Sequence, residues 1–282
     1  MTKILFPTDF SAIASNAYNY TLELAEKINA KVITLHVYEK PYIPGIEKVP
    51  MTAQEIYESI KMETFEDYKK SVEELRKNAE EAGFSNVNME HMLKEGSTVS
   101  TICRIAKEED VDFIVMGTKG ATGLREIFLG SVTAEVMENA PCPVLGVPEE
   151  AELDDAIDNI AVTTDHAEKD YLLFDAILKL AEIFKAKLYC LHVDTGNTES
   201  ITGKMKAIAE KYADNENFST VNIQNSDVEK GLVLYAEENH IDLIAMRTEK
   251  RNFFQELFHY SIAKRMSYHT KIPILAVPER IL

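Results

Sequence analysis

At 282 residues, with 45% hydrophobic and 27% charged side chains, the chain has an ordinary globular composition and room for two domains, each with its own core. Its formal net charge of −17 argues against sequence-independent attraction to nucleic acid or to an anionic membrane surface. No apolar run approaches the ~20 residues of a membrane span, and Met1-Thr-Lys-Ile-Leu-Phe-Pro7 lacks a signal-peptide core, so a cytoplasmic protein is expected.

Lys3-Ile-Leu-Phe6 reads as a short buried strand, closed by Pro7, Thr8 and Asp9. Ser11 can cap a helix reaching about Asn29, with Ala14, Ala17, Leu24, Ala25 and Ile28 on one helical stripe. Lys31 to Val37 is a second strand, followed by a loop in which Pro41, Pro44 and Pro50 rule out an element interior. Thr52-Ala-Gln-Glu55 offers a capping box for a long helix or helix pair ending before Gly83. A third strand is expected over Val87–Met92, a helix over Thr98–Glu109 and a fourth, buried strand over Phe113–Met116. A glycine-rich loop then leads into a helix over Val132–Glu138, stopped by Pro141, and Val144–Val147 is a fifth strand. Strands alternating with helices predict an α/β fold built on a parallel sheet.

The acidic stretch 149–158 has no helical or strand period and reads as a linker, after which the pattern begins again. Asn159-Ile-Ala-Val-Thr-Thr-Asp165 repeats Lys3 to Asp9, and Ala186 to Val193 repeats Ala30 to Val37, both at an offset of 156. Asp242 to Arg247 repeats Asp112 to Gly117, and Ile272 to Pro278 repeats Cys142 to Pro148, both at an offset of 130. Two internally consistent offsets indicate a tandem duplication, with domains at 1–148 and 159–282. The second copy is a net 26 residues shorter, and most of that loss is assigned to the proline-rich loop and the long helix.

Four of the eleven glycines fall in the fifteen residues Gly117 to Ser131, at Gly117, Gly120, Gly123 and Gly130. Glycine lets a backbone approach a ligand closely, and the free N–H groups and dipole of the helix that follows favour an anion. The spacing is neither the dinucleotide fingerprint nor the Walker loop. It resembles the nucleotide-binding signature of the universal stress protein family, and Ala140-Pro-Cys-Pro-Val-Leu-Gly-Val-Pro148 is also typical of that family.

The resemblance covers nearly the whole chain as two copies. It implies two open five-stranded parallel sheets, Rossmann-like and related to the adenine nucleotide alpha hydrolases, with helices on both faces and strand order 3-2-1-4-5. The crevice then lies between the first and fourth strands, where the order reverses. By resemblance, Pro7, Thr8 and Asp9 meet adenine and ribose, and the Val37 backbone meets the adenine edge. Met116, Gly117 and Thr118 lie beside the nucleoside and phosphates, and Gly120, Gly130, Ser131 and Val132 cradle the phosphates. The implied cofactor is ATP, with or without magnesium. A competing role for Asp9 is a helix cap before Ser11, and Lys119 and Arg125 read equally as solvated loop charges.

In the second copy Asp165 is kept, but Arg247, Lys250 and Tyr260 stand at the positions of Gly117, Gly120 and Gly130; Ser261 alone survives. Arg247 and Lys250 either hold a phosphate themselves or fill the crevice by pairing with Asp165. One ATP per chain, in the first copy, is the expectation. The implied role is a nucleotide-dependent stress-response module, against a slow ATPase or autophosphorylating enzyme and a nucleotide-free interaction scaffold. Thr118, Thr122, Ser131 and Thr133 supply hydroxyls, but no general-base pair or magnesium carboxylate is evident, so no catalytic residue is assigned.

His36 and His192 recur at equivalent strand positions and read as core histidines. Cys103, Cys142 and Cys190 are odd in number without a CxxC pair, and the seven histidines lack paired ligand spacing; buried thiols and no metal are expected. In the family the fifth strands of two domains pair antiparallel. The resemblance therefore implies an intramolecular pseudo-dimer through Val144–Val147 and Ile274–Val277, and leaves a further homodimer open.

Overall fold

Strands and helices follow one another largely as the sequence predicts in the residues that the computed structural model describes, namely 2–40, 53–118, 131–151, 157–165, 170–196, 198–248 and 271–282. The first half runs β1 (Lys3–Pro7), α1 (Ala12–Lys27), β2 (Lys31–Tyr38), α2 (Ala53–Glu81), β3 (Met89–Glu95), α3 (Thr98–Glu108), β4 (Phe113–Gly117), α4 (Ser131–Asn139) and β5 (Val144–Val147). The second half repeats it with β6 (Asn159–Thr163), α5 (Asp170–Phe184), β7 (Lys187–Asp194), α6 (Thr198–Lys211), β8 (Phe218–Gln224), α7 (Val228–Glu238), β9 (Leu243–Thr248) and β10 (Ile274–Pro278). No helix among the described residues is long and apolar enough to cross a membrane.

Local chemistry explains most boundaries. Ser11 caps α1, its hydroxyl accepting from the Ala14 N–H at 3.3 Å. Ala17, Leu24 and Ala25 on the expected stripe are buried, and Ala14 and Ile28 pack against the same core. The region after the proline-rich loop is one 29-residue helix, so the helix-pair alternative is set aside. Thr52 of the proposed capping box, and the three prolines before it, lie outside the described residues. The 14 residues of α6 against the 29 of α2 account for over half of the second copy's deficit. The third strand starts and ends later than expected, at Met89 and Glu95, because its register follows β2 from Val32 opposite Met89 to Tyr38 opposite Glu95.

Gly96 sits between β3 and α3 at φ +147°, a conformation that disfavours a side chain, and an added Cβ would meet Thr101 Oγ1 at 2.6 Å. Gly96→Ala is expected to lower stability by about 1–3 kcal/mol, measured by chemical denaturation.

The strand order is β3-β2-β1-β4-β5-β10-β9-β6-β7-β8. Each half therefore has the order 3-2-1-4-5 and is parallel throughout. The two five-stranded parallel halves are joined through their fifth strands, as the resemblance implies. β5 and β10 pair antiparallel, Leu145 opposite Leu275, and close the molecule into one ten-stranded sheet. Pairing satisfies two short apolar edges that would otherwise be exposed. One apolar core runs unbroken over one face through both halves, taking in Phe6, Val147, Val162 and Val277. On the other face the halves keep separate cores, although Ala276 of β10 packs into that of the first half.

Of the described linker residues, Ala151 and Ile157 are buried. Asn16 Nδ2 of α1 donates to the carbonyls of Pro148 (3.0 Å) and Ala151 (2.8 Å), tying the chain leaving β5 onto the first half.

Candidate nucleotide site

β1 lies between β2 and β4, so successive connections leave it in opposite directions and a crevice forms beyond the carboxyl ends of β1 and β4. The β1–β4 ladder pairs Ile4 with Phe113 and Leu5 with Ile114, while the strands run on to Pro7 and Gly117. Thr8 and Asp9 thus lie at the same end of the sheet as Gly117 and Thr118. Pro7, Thr8 and Met116 are buried, Val37 and Gly117 half-buried, and Asp9 exposed.

The first lip of the crevice is held from β2. The Thr8 N–H donates to Leu35 O at 2.9 Å, and His36 Nδ1 lies 2.8 Å from Thr8 O. A carbonyl can only accept, so Nδ1 carries the proton and His36 buckles β2 to the end of β1. His192 makes the same contact with Thr164 O at 3.1 Å in the second half. The core reading of these histidines is thus matched by a structural bond at each. The Ser11 N–H donates to Asp9 Oδ1 at 3.0 Å, so part of the carboxylate serves the turn into α1, while the cap itself is Ser11.

The second lip is held from β5 and α4. The Thr118 N–H donates to Val147 O at 3.0 Å. Thr133, in the first turn of α4, donates through Oγ1 to Gly117 O at 2.8 Å. That bond fixes the amino end of α4, which begins at Ser131, beside the end of β4. Val132 is exposed at the mouth of the helix. Lys119, Gly120, Thr122, Arg125 and Gly130 lie outside the described residues, as do Lys250, Tyr260 and Ser261 of the second copy.

The equivalent crevice of the second half has different contents. Arg247, at the Gly117 position, is 7% exposed, and each guanidinium nitrogen faces a carboxylate. Nε donates to Asp170 Oδ1 at 3.0 Å, Nη2 lies 3.2 Å from both oxygens of Asp165, and Nη1 lies 3.4 Å from Glu279. The pairing of Arg247 with Asp165 is one of the two outcomes anticipated from sequence. Asp170 and Glu279 were not foreseen. The available signal was a cation replacing glycine at the end of a buried strand, which demands buried counter-charge. Asp170 replaces Ala14 of the first copy, and Glu279 is equivalent to Glu149.

The Asp170 carboxyl is held above the usual carboxylate range. Burial is the main cause, and the charge of Asp165 adds to it; the Thr164 hydroxyl, donating at 2.7 Å, and Arg247 pull the other way. A carboxyl raised in the folded state binds its proton more tightly there than in the unfolded chain. Its contribution to stability is therefore greatest in acid and shrinks as pH rises from about 4 through its folded-state value. Asp170→Asn removes that proton uptake, so its melting temperature should fall more steeply than that of the parent as pH is lowered through this window. A pH series of thermal melts checks it.

The universal stress protein family model matches residues 1–148 and again 156–278. A universal stress protein of Methanocaldococcus jannaschii, MJ0577, is 33% identical over 154 residues, covering 51% of this chain and 93% of that protein. Slr1230 of Synechocystis, also a universal stress protein, is 23% identical over 98% of this chain and 99% of its own length. Among solved structures, a universal stress protein from Archaeoglobus fulgidus superposes with a TM-score of 0.75 at 19% identity, covering 98% of each chain. With the family matched twice along its length, the chain belongs to the universal stress protein family.

Proposed function

We propose that the protein is a nucleotide-dependent regulatory module that binds one ATP per chain, in the crevice of the first half. The carrying observation is the contrast between the two crevices. In the first, the end of β4 is a glycine, and Thr133 holds the amino end of α4 beside it. In the second, the same position is Arg247, already engaged with three carboxylates. A phosphate entering there would have to displace those carboxylates and face their combined negative charge.

In the first half, Asp9 and Thr8 supply acceptors for a ribose hydroxyl or an amino group. Val37 presents its backbone at the edge of the crevice. Met116, Gly117 and Thr118 line the opposite wall, and Gly120, Gly130, Ser131 and Val132 receive the phosphates on backbone N–H groups. Magnesium, where it accompanies ATP, would be held mainly by the nucleotide's own phosphates. Bound nucleotide alters the surface that the first half offers to partners. Titration calorimetry with ATP is expected to give one site per chain, and a stoichiometry of zero or two would overturn the reading.

A further inference from the structure

We infer that the seam between β5 and β10 is built to join unlike halves, so that the two halves of a chain select each other over a like half from a second copy. Two pseudo-equivalent residues cross this seam with opposite charge. Arg280 of the second half donates through Nη1 to Glu138 O at 3.3 Å and through Nη2 to Ala140 O. It therefore places its cation on the carboxyl end of α4, the negative end of the helix dipole. The residue 130 positions earlier is Glu150, which reaches the other way and pairs with Lys271 Nζ at 3.5 Å.

The geometry makes the comparison with like halves direct. Leu145 and Leu275 occupy equivalent positions and stand opposite each other, so a local twofold axis passes between them. Two first halves joined by the same edge would set Leu145 opposite Leu145. Each Glu150 would then take the place of Arg280 and bring a carboxylate against the Glu138 and Ala140 carbonyls. Two second halves would set Arg280 beside Lys271. Both like pairings oppose charges of one sign, whereas the unlike pairing satisfies both contacts. Juxtaposed like charges are an effective means of rejecting a wrong partner.

A cysteine at the axis reports the pairing in the full-length chain. Leu145→Cys can form a disulfide across a first-half to first-half seam, because the residue then faces its own copy. Under a mild oxidant, the Leu145→Cys chain should remain unlinked on a non-reducing gel. Leu145→Cys with Leu275→Cys should close a bond within one chain. Adding Glu150→Arg to Leu145→Cys puts the cation on the correct side for a like pairing and sets it against Lys271 within the chain. The interchain product should then rise by roughly tenfold, the equivalent of 1.4 kcal/mol in pairing preference. Arg280→Glu with Leu275→Cys should do the same for second halves, and chains retaining both leucines control for Cys103, Cys142 and Cys190. Glu150 and Lys271 are both exposed, so Glu150→Arg leaves the cores intact. Interchain bonds forming equally with and without Glu150→Arg and Arg280→Glu, or in neither case, would overturn the inference.

Discussion

Arg247→Ala is expected to destabilise the protein by about 3–5 kcal/mol, the range for removing one member of a buried ion pair. The loss follows from what remains behind. Asp170 is 4% exposed, and its Oδ1 would lose the Nε donor at 3.0 Å while keeping the Thr164 hydroxyl on Oδ2. Asp165 contributes far less, because at 67% side-chain exposure water solvates its carboxylate once the arginine is gone. Glu279, at 27%, falls between them. In a protein of this size each kcal/mol shifts the melting temperature by roughly 2–4 °C, so a fall on the order of ten degrees is expected in a thermal melt. The double change Arg247→Met with Asp170→Leu should recover most of it, because apolar side chains of similar volume need no counter-charge. A single variant within about 1 kcal/mol of the parent would show that the cluster is not a buried charge network in solution.

The second large effect concerns nucleotide. With Gly130 in the proposed phosphate cradle, Gly130→Lys is expected to weaken ATP binding about 100-fold or more while leaving the fold intact, because the added side chain would compete with phosphate. Loss of two charge-assisted N–H contacts, each worth roughly 1.5–3 kcal/mol, already accounts for that factor. Calorimetry on parent and variant reads both affinity and stoichiometry. One site falling to none agrees with a single pocket in the first half. Two sites falling to one would mean that the Arg247 cluster opens to accept phosphate. Parent-like ATP affinity in a folded Gly130→Lys protein would remove Gly130 from the pocket.

Much of this protein was legible in the chain because the signals are local or repeated. Strand and helix periods, the Ser11 cap and the glycine punctuation act over a few residues, and their order specifies an α/β sheet without reference to distant contacts. The duplication was equally plain, since the offsets of 156 and 130 compare the chain with itself. The placement of Asp9 and Gly117 at one end of the sheet followed from strand order, which the family resemblance supplied.

Tertiary structure decided what depends on residues far apart in sequence. Asp165, Asp170, Arg247 and Glu279 come from three separate stretches of the second half, and no spacing rule predicts that they converge on one guanidinium. Their assembly is forced by the fold: β9 delivers Arg247 to a buried strand end, and a buried cation is stable only where carboxylates can reach it. Arg280 on α4 was likewise invisible, because its partners are backbone carbonyls, which carry no sequence signature. The sequence alone determined the elements, the repeat and the glycines of one copy. The folded chain decided which charges fill the other copy's crevice, because burial sets which charges must find one another.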